Sequence, residues 1–171
     1  KVRDRKTVPH KAYNRPGSPK GEIEFVLFSD VVSCANCGAQ HPFYSVAVDE
    51  EHDAMIRDIQ CPTCGVVSKE ASWELCKELV FDPILGTEHE QAKTKPVLIN
   101  YSVGTSRFEK IPDADDLSSL NRAADLVADL GFPLVKLIPG KETQRNVSRG
   151  ITHLHHFFTA RELVAVSKIM E

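Results

Sequence analysis

Nowhere in these 171 residues is there an uncharged apolar run long enough to cross a bilayer as a helix, so the sequence predicts no membrane segment. No basic region followed by an apolar stretch and a small-residue cleavage site opens the chain, so no secretory leader is expected. A nucleotide-binding phosphate loop is missing too. Gly140, Lys141 and Glu142 imitate its end, but Val135 stands where its first glycine belongs and Glu142 replaces the hydroxyl residue. Net charge is only -3, which by itself calls for no nucleic-acid partner.

Cysteine is scarce but placed with purpose. Four of the five cysteines form two matched Cys-x-x-Cys-Gly turns, Cys34 and Cys37 before Gly38, and Cys61 and Cys64 before Gly65. Each turn brings two thiolates within reach of one tetrahedral ion, and the glycine that follows tolerates the left-handed backbone the turn needs. Four thiolates close the coordination shell, which points to a structural zinc ion, because catalytic zinc keeps a position for water or substrate. A pair of disulfides or thioredoxin-like redox chemistry is the competing reading, and the duplication disfavours it. Cys76 has no such neighbour and reads as a buried small apolar residue. Metal-bound thiolates suit a reducing cytoplasm, and Asn100 and Asn146, which fit the glycosylation pattern, are then chance matches.

Three zones follow. Residues 1–21 carry Lys1, Arg3, Arg5, Lys6, Lys11, Arg15 and Lys20 against Asp4 alone, with three prolines and little to bury, and read as a basic flexible arm. Residues 22–95 read as a zinc ribbon. Ile23, Phe25 and Leu27 alternate in a strand leading to Cys34, while residues 43–48 and 55–61 suggest two strands joined by an acidic turn. Residues 71–81 fit a strand or a short helix equally. The remaining zone, 96–171, reads as a mixed α/β segment with two helices. It begins with strands at 96–103 and 106–111 around Gly104. A helix follows, with Asp113 and Asp116 at its start, an apolar stripe of Leu117, Leu120, Ala124, Val127 and Leu130, and Gly131 at its end. An extended piece at 132–138 and a basic loop from Gly140 to Gly150 come next. Thr159 and Glu162 then form a capping box for a last helix running through Ile169. That helix is apolar on most faces, so it is expected to dock on a catalytic domain of a longer polypeptide from which this chain is a piece. The fold class is thus α+β.

Two sets of polar residues invite a function. His153, His155 and His156 could hold a metal, but no carboxylate or cysteine lies at helpful spacing, and packed or hydrogen-bonded histidines are commoner. Lys141, Arg145, Asn146, Ser148 and Arg149 could bind phosphate oxygens, with a solvated loop as the plain alternative.

Several strings resemble one family. Residues 25–37 with Ser29 and Asp30, the second cysteine turn, residues 97–104 and residues 107–113 resemble the zinc-ribbon insert region of large bacterial and archaeal adenine-specific DNA methyltransferases. The stretch from Gly150 to Leu163, containing Gly150, Ile151, Thr152, His153, His155, His156 and Phe157, is similar to the closing segment of that family. The resemblance implies a parent enzyme that binds S-adenosylmethionine and methylates the adenine amino group in double-stranded DNA. It implies for this segment an accessory or target-recognition role, gripping duplex flanks while a base is extruded. The family's Phe-x-Gly and Asp-Pro-Pro-Tyr/Phe motifs are absent. Asp82, Pro83 and Ile84 come nearest, and Ile84 lacks the aromatic ring that stacks on a base. No catalytic residue and no S-adenosylmethionine-binding residue therefore falls in this chain. A structural or protein-binding zinc ribbon without DNA contact, and a metalloenzyme built on the histidines, remain the other readings.

Overall fold

The computed structural model describes residues 21–49, 54–127, 130 and 132–170. The basic arm, apart from Gly21, the acidic turn at 50–53 and the proposed helix stop at Gly131 lie outside the described residues. The architecture is mixed α+β and rich in strands. It divides into two compact units, each assembled from two separate stretches of chain. One holds residues up to 76 with 94–112, the other 77–93 with 113–171.

In the first unit, β1 (Glu22–Cys34) is the spine. It pairs antiparallel with β10 (Thr94–Val103), which in turn pairs with β11 (Ser106–Lys110) around the turn at Gly104. At its far end β1 is flanked by β2 (Gln40–Pro42) and β7 (Trp73–Leu75). The simple alternation expected for β1 does not hold throughout. Register shifts between Ile23 and Phe25 and between Leu27 and Phe28 change which residues share a face, and Phe25 is left 52% exposed.

Residues 43–47 are not a strand but a short helix, α1 (Phe43–Ala47). Phe43, Val46 and Ala47 recur at helical rather than alternating spacing and turn into one core with Val32, Cys34, Ile59, Cys61 and Trp73. The buried Ser29 hydroxyl accepts the Tyr44 amide at 2.9 Å, and Ser45 Oγ donates to the Pro42 carbonyl at 2.8 Å. These bonds satisfy groups that a five-residue helix leaves open. Pairing resumes between β3 (Val48–Asp49) and β4 (Ala54–Met55), then between β5 (Asp58–Gln60) and β6 (Val67–Lys69).

The second unit begins with the hairpin of β8 (Lys77–Asp82) and β9 (Thr87–Ala92). The ambiguous stretch 71–81 is thus mostly strand, divided between β7 and β8. Helix α2 (Ala114–Val127) opens with a reciprocal cap, in which the Asp113 amide donates to Asp116 Oδ2 and the Asp116 amide to Asp113 Oδ1, each at 2.9 Å. Helix α4 (Ala160–Met170) opens as the capping box predicts, Thr159 N donating to Glu162 Oε2 at 2.7 Å and Glu162 N to Thr159 Oγ1 at 3.4 Å. It packs on α2 and buries Leu163, while Ile169 stays 84% exposed. Residues 141–147, expected as loop, form α3 (Lys141–Val147). Gly140 is its N-cap and Gly150 lies just past its end, so the two glycines delimit a helix rather than a loop. Among the described residues no helix is long and apolar enough to cross a membrane.

Candidate metal centre

Each cysteine turn sits at the tip of its own hairpin, the first between β1 and β2, the second between β5 and β6. Their backbones repeat one pattern. Cys34 N donates to Ala39 O at 3.0 Å and Gly38 N to Cys34 O at 2.8 Å; Cys61 N donates to Val66 O and Gly65 N to Cys61 O, both at 2.9 Å. Gly38 and Gly65 have φ of 71° and 73°, a conformation in which any Cβ is strained, which is why glycine closes both turns.

The tips face each other and interleave their sulfurs. Cys34 Sγ lies 3.9 Å from Cys64 Sγ and Cys37 Sγ lies 3.8 Å from Cys61 Sγ, and all four sulfurs fall within 4.8 Å of one another. That cluster can hold one metal ion. Cys34 and Cys61 are buried against Ile59 and Trp73, whereas Cys37 and Cys64 reach solvent.

Polar neighbours missed by the sequence reading surround the sulfurs. Asn36 Nδ2 approaches Cys64 Sγ at 3.6 Å, and His41 Nε2 lies 3.8 Å from Cys61 Sγ and 3.2 Å from Thr63 Oγ1. The His41 ring stands edge-on to Trp73, with centroids 6.2 Å apart. Asn36 and Thr63 lie inside the two turns and His41 four positions after Cys37, so residues within and just after a Cys-x-x-Cys turn are where such donors would be sought. Cys64 and Cys37 are shifted in opposite directions. The Val66 amide, then the Asn36 side chain, bring Cys64 down to about 6, so it readily offers a thiolate. For Cys37 the Ala39 amide acts downward, but desolvation and the other three sulfurs outweigh it and push the thiol up to about 11. An ion entering the site must displace protons, above all that of Cys37. Cys76 is buried outside this cluster, its amide bound to Val31 O at 2.9 Å.

No protein-family model, curated protein or solved structure matches this chain.

Of the other candidate residues, Lys141 and Arg145 are exposed one helical turn apart on α3, and Ser148, exposed just beyond it, donates Oγ to the Arg145 carbonyl at 2.9 Å. Asn146 is half-buried, its carbonyl receiving the Arg149 and Ile151 amides at 3.0 Å; the Arg149 carbonyl takes the Ala92 amide at 2.9 Å. Lys141 and Arg145 thus share an exposed face of α3 with Ser148 just beyond it, while Asn146 and Arg149 are half-buried.

The histidines have a carboxylate after all. Asp82, at the end of β8 and 5% exposed, presents Oδ2 to His155 Nε2 and to His156 Nε2, each at 2.8 Å. Its Oδ1 accepts the amides of Ile84 at 2.8 Å and Leu85 at 3.0 Å. Burial alone would raise this carboxyl, but the His155 hydrogen bond, the Leu85 amide and the His156 bond hold it well below the usual carboxylate range. His155 and His156 lie in a 3₁₀ turn (Leu154–Phe157), not in an extended strand, and His89 of β9 stacks on His156 with centroids 4.5 Å apart. The carboxylate that serves these histidines lies far upstream, where local spacing could not reveal it.

Proposed function

We propose that this chain is a zinc-stabilised, DNA-contacting accessory or target-recognition region of an S-adenosylmethionine-dependent DNA N6-adenine methyltransferase. The sulfur cluster carries the metal part of the reading. Four thiolates about 2.3 Å from one tetrahedral zinc are spaced roughly 3.8 Å apart, which agrees with the observed 3.8 and 3.9 Å contacts. All four ligands are protein sulfurs, so the ion organises the hairpin tips and takes no part in chemistry. Binding free energy there becomes folding free energy, on the order of 10–16 kcal/mol in small zinc sites.

The DNA part is supported by the family resemblance of the strings quoted above and by exposed Lys141 and Arg145 on α3. Asp82, the only hint of an amino-methylation motif, is buried against histidines and unavailable to a flipped base. That fits a segment whose parent keeps the cofactor and catalytic motifs elsewhere; the chain alone is then expected neither to bind S-adenosylmethionine nor to methylate DNA.

A protein-binding ribbon without DNA contact is the second reading, favoured by Met55 and Val67, each more than half exposed in the ribbon. Fluorescence anisotropy with a short duplex across a salt series separates the two. Each neutralised phosphate releases roughly 0.9 counterion, so changing Lys141 and Arg145 together to Ala flattens the salt slope by up to about two units and weakens binding to all sequences alike. No binding even at low salt favours the protein partner.

A further inference from the structure

We propose that Asp82, His89 and His156 form a second metal site, for a divalent first-row transition ion, which clamps the β8–β9 hairpin to the 3₁₀ turn at Leu154–Phe157. One carboxylate oxygen and one nitrogen from each of two imidazoles lie within 4.8 Å of one another. All three residues belong to the second unit, and the inference is independent of the DNA reading.

Each candidate ligand is oriented by a separate contact. The Ile84 and Leu85 amides occupy Asp82 Oδ1 and leave Oδ2 facing the rings, where His155 Nε2 also approaches and acts as a positioning residue. His156 Nδ1 accepts the Thr152 amide at 3.2 Å, with the Gly150 carbonyl also 3.2 Å away, while Nε2 faces Asp82 Oδ2. An ion beside Asp82 takes the Nε2 lone pair as the ring proton moves to Nδ1, where Gly150 O accepts it in place of the Thr152 bond; a backbone carbonyl of this kind commonly holds the tautomer of a metal-binding histidine. Both ring nitrogens of the half-buried His89 are removed from solvent and make no hydrogen bond of good geometry, though the Gln91 side chain lies close enough to act on the ring. Ring nitrogens left so are costly, and a metal bond satisfies one of them.

Ligand atoms about 2.0–2.2 Å from a tetrahedral ion are spaced roughly 3.3 Å apart. Asp82 and His156 are closer than this and the whole set lies within 4.8 Å, so side-chain shifts on the order of an ångström, including a tilt of His89 out of its stack, bring the set onto one ion. Two imidazoles and a carboxylate suit zinc, iron, cobalt or nickel rather than magnesium or calcium.

The test is equilibrium dialysis of the full chain against cobalt(II), read by bound cobalt and by absorption. Two cobalt ions per chain are expected, one giving a thiolate-to-metal charge-transfer band and one not. In the His89→Gln variant the charge-transfer band remains, and affinity for the second ion falls by more than the 10–100-fold typical of losing an outer partner of a ligand. A wild-type chain that binds a single, thiolate-held cobalt overturns the proposal, and so does a folded His89→Gln chain that holds the second ion unchanged. Since the wild-type stoichiometry is read separately, it decides even if the variant does not fold.

Discussion

Asp82 and His155 stand 73 positions apart in the chain and meet at 2.8 Å with both side chains almost wholly buried. This pair, joined by His156 on the same carboxylate oxygen, ties β8 to the segment before α4. Asp82→Asn keeps an oxygen for the Ile84 and Leu85 amides but removes the charge and sets an amide against two imidazoles. Unfolding of the second unit should become easier by about 3 kcal/mol or more, the cost of breaking a buried hydrogen-bonded pair from one side. Urea melts followed by amide exchange in β8 and β9 read this, and an unchanged free energy contradicts it.

Acid should loosen the same unit in two stages when a chelator is present. Burial and the neighbouring His156 lower the proton affinity of His89; burial, His156 and His155 lower that of His153. The unfolded chain therefore takes up these protons first, and stability falls as the pH drops below about 6.5. Asp82 is depressed in the folded state, so its contribution is complete above the unfolded value of about 3.9 and is lost as the pH falls below it. Protection factors of the β8–β9 amides, corrected for the pH dependence of intrinsic exchange, that stay constant from neutral pH to pH 5 contradict the histidine stage.

Gly150 carries φ of 86°, and a Cβ there would run into the Glu90 carbonyl and the Gln91 backbone. Gly150→Ala combines a left-handed backbone with a backbone collision, worth about 1–3 kcal/mol from the conformation alone. The loss should show as a lower urea midpoint with an unchanged slope. A melt matching the wild type would mean that the loop does not approach β9 in this way.

What was legible in the sequence is what short range encodes. The cysteine turns carry their own geometry in six residues each, and the capping residues Asp113, Asp116, Thr159 and Glu162 identify both long helices because each cap bond spans three positions. Where two periods fit one short window the reading failed, as at residues 43–48, a short run that passes for a strand until the helical spacing of Phe43, Val46 and Ala47 is tied to the core they share. The β1 bulges were invisible for a related reason, since register depends on the partner strand. His89, and the part Asp82 plays toward the histidines, escaped notice because their partners come from the far end of the chain.

The central claim is that Cys34, Cys37, Cys61 and Cys64 hold one zinc ion that folds the ribbon. Cobalt substitution followed by charge-transfer absorption, on the wild type and on Cys37→Ser, tests it most directly, because only thiolate ligands contribute that band. The wild type should bind one thiolate-held ion per chain. The variant should lose that ion and the amide protection of β5 and β6 together, while α2 and α4 keep theirs. A Cys37→Ser chain that holds the ion at full stoichiometry with the ribbon intact would contradict the account.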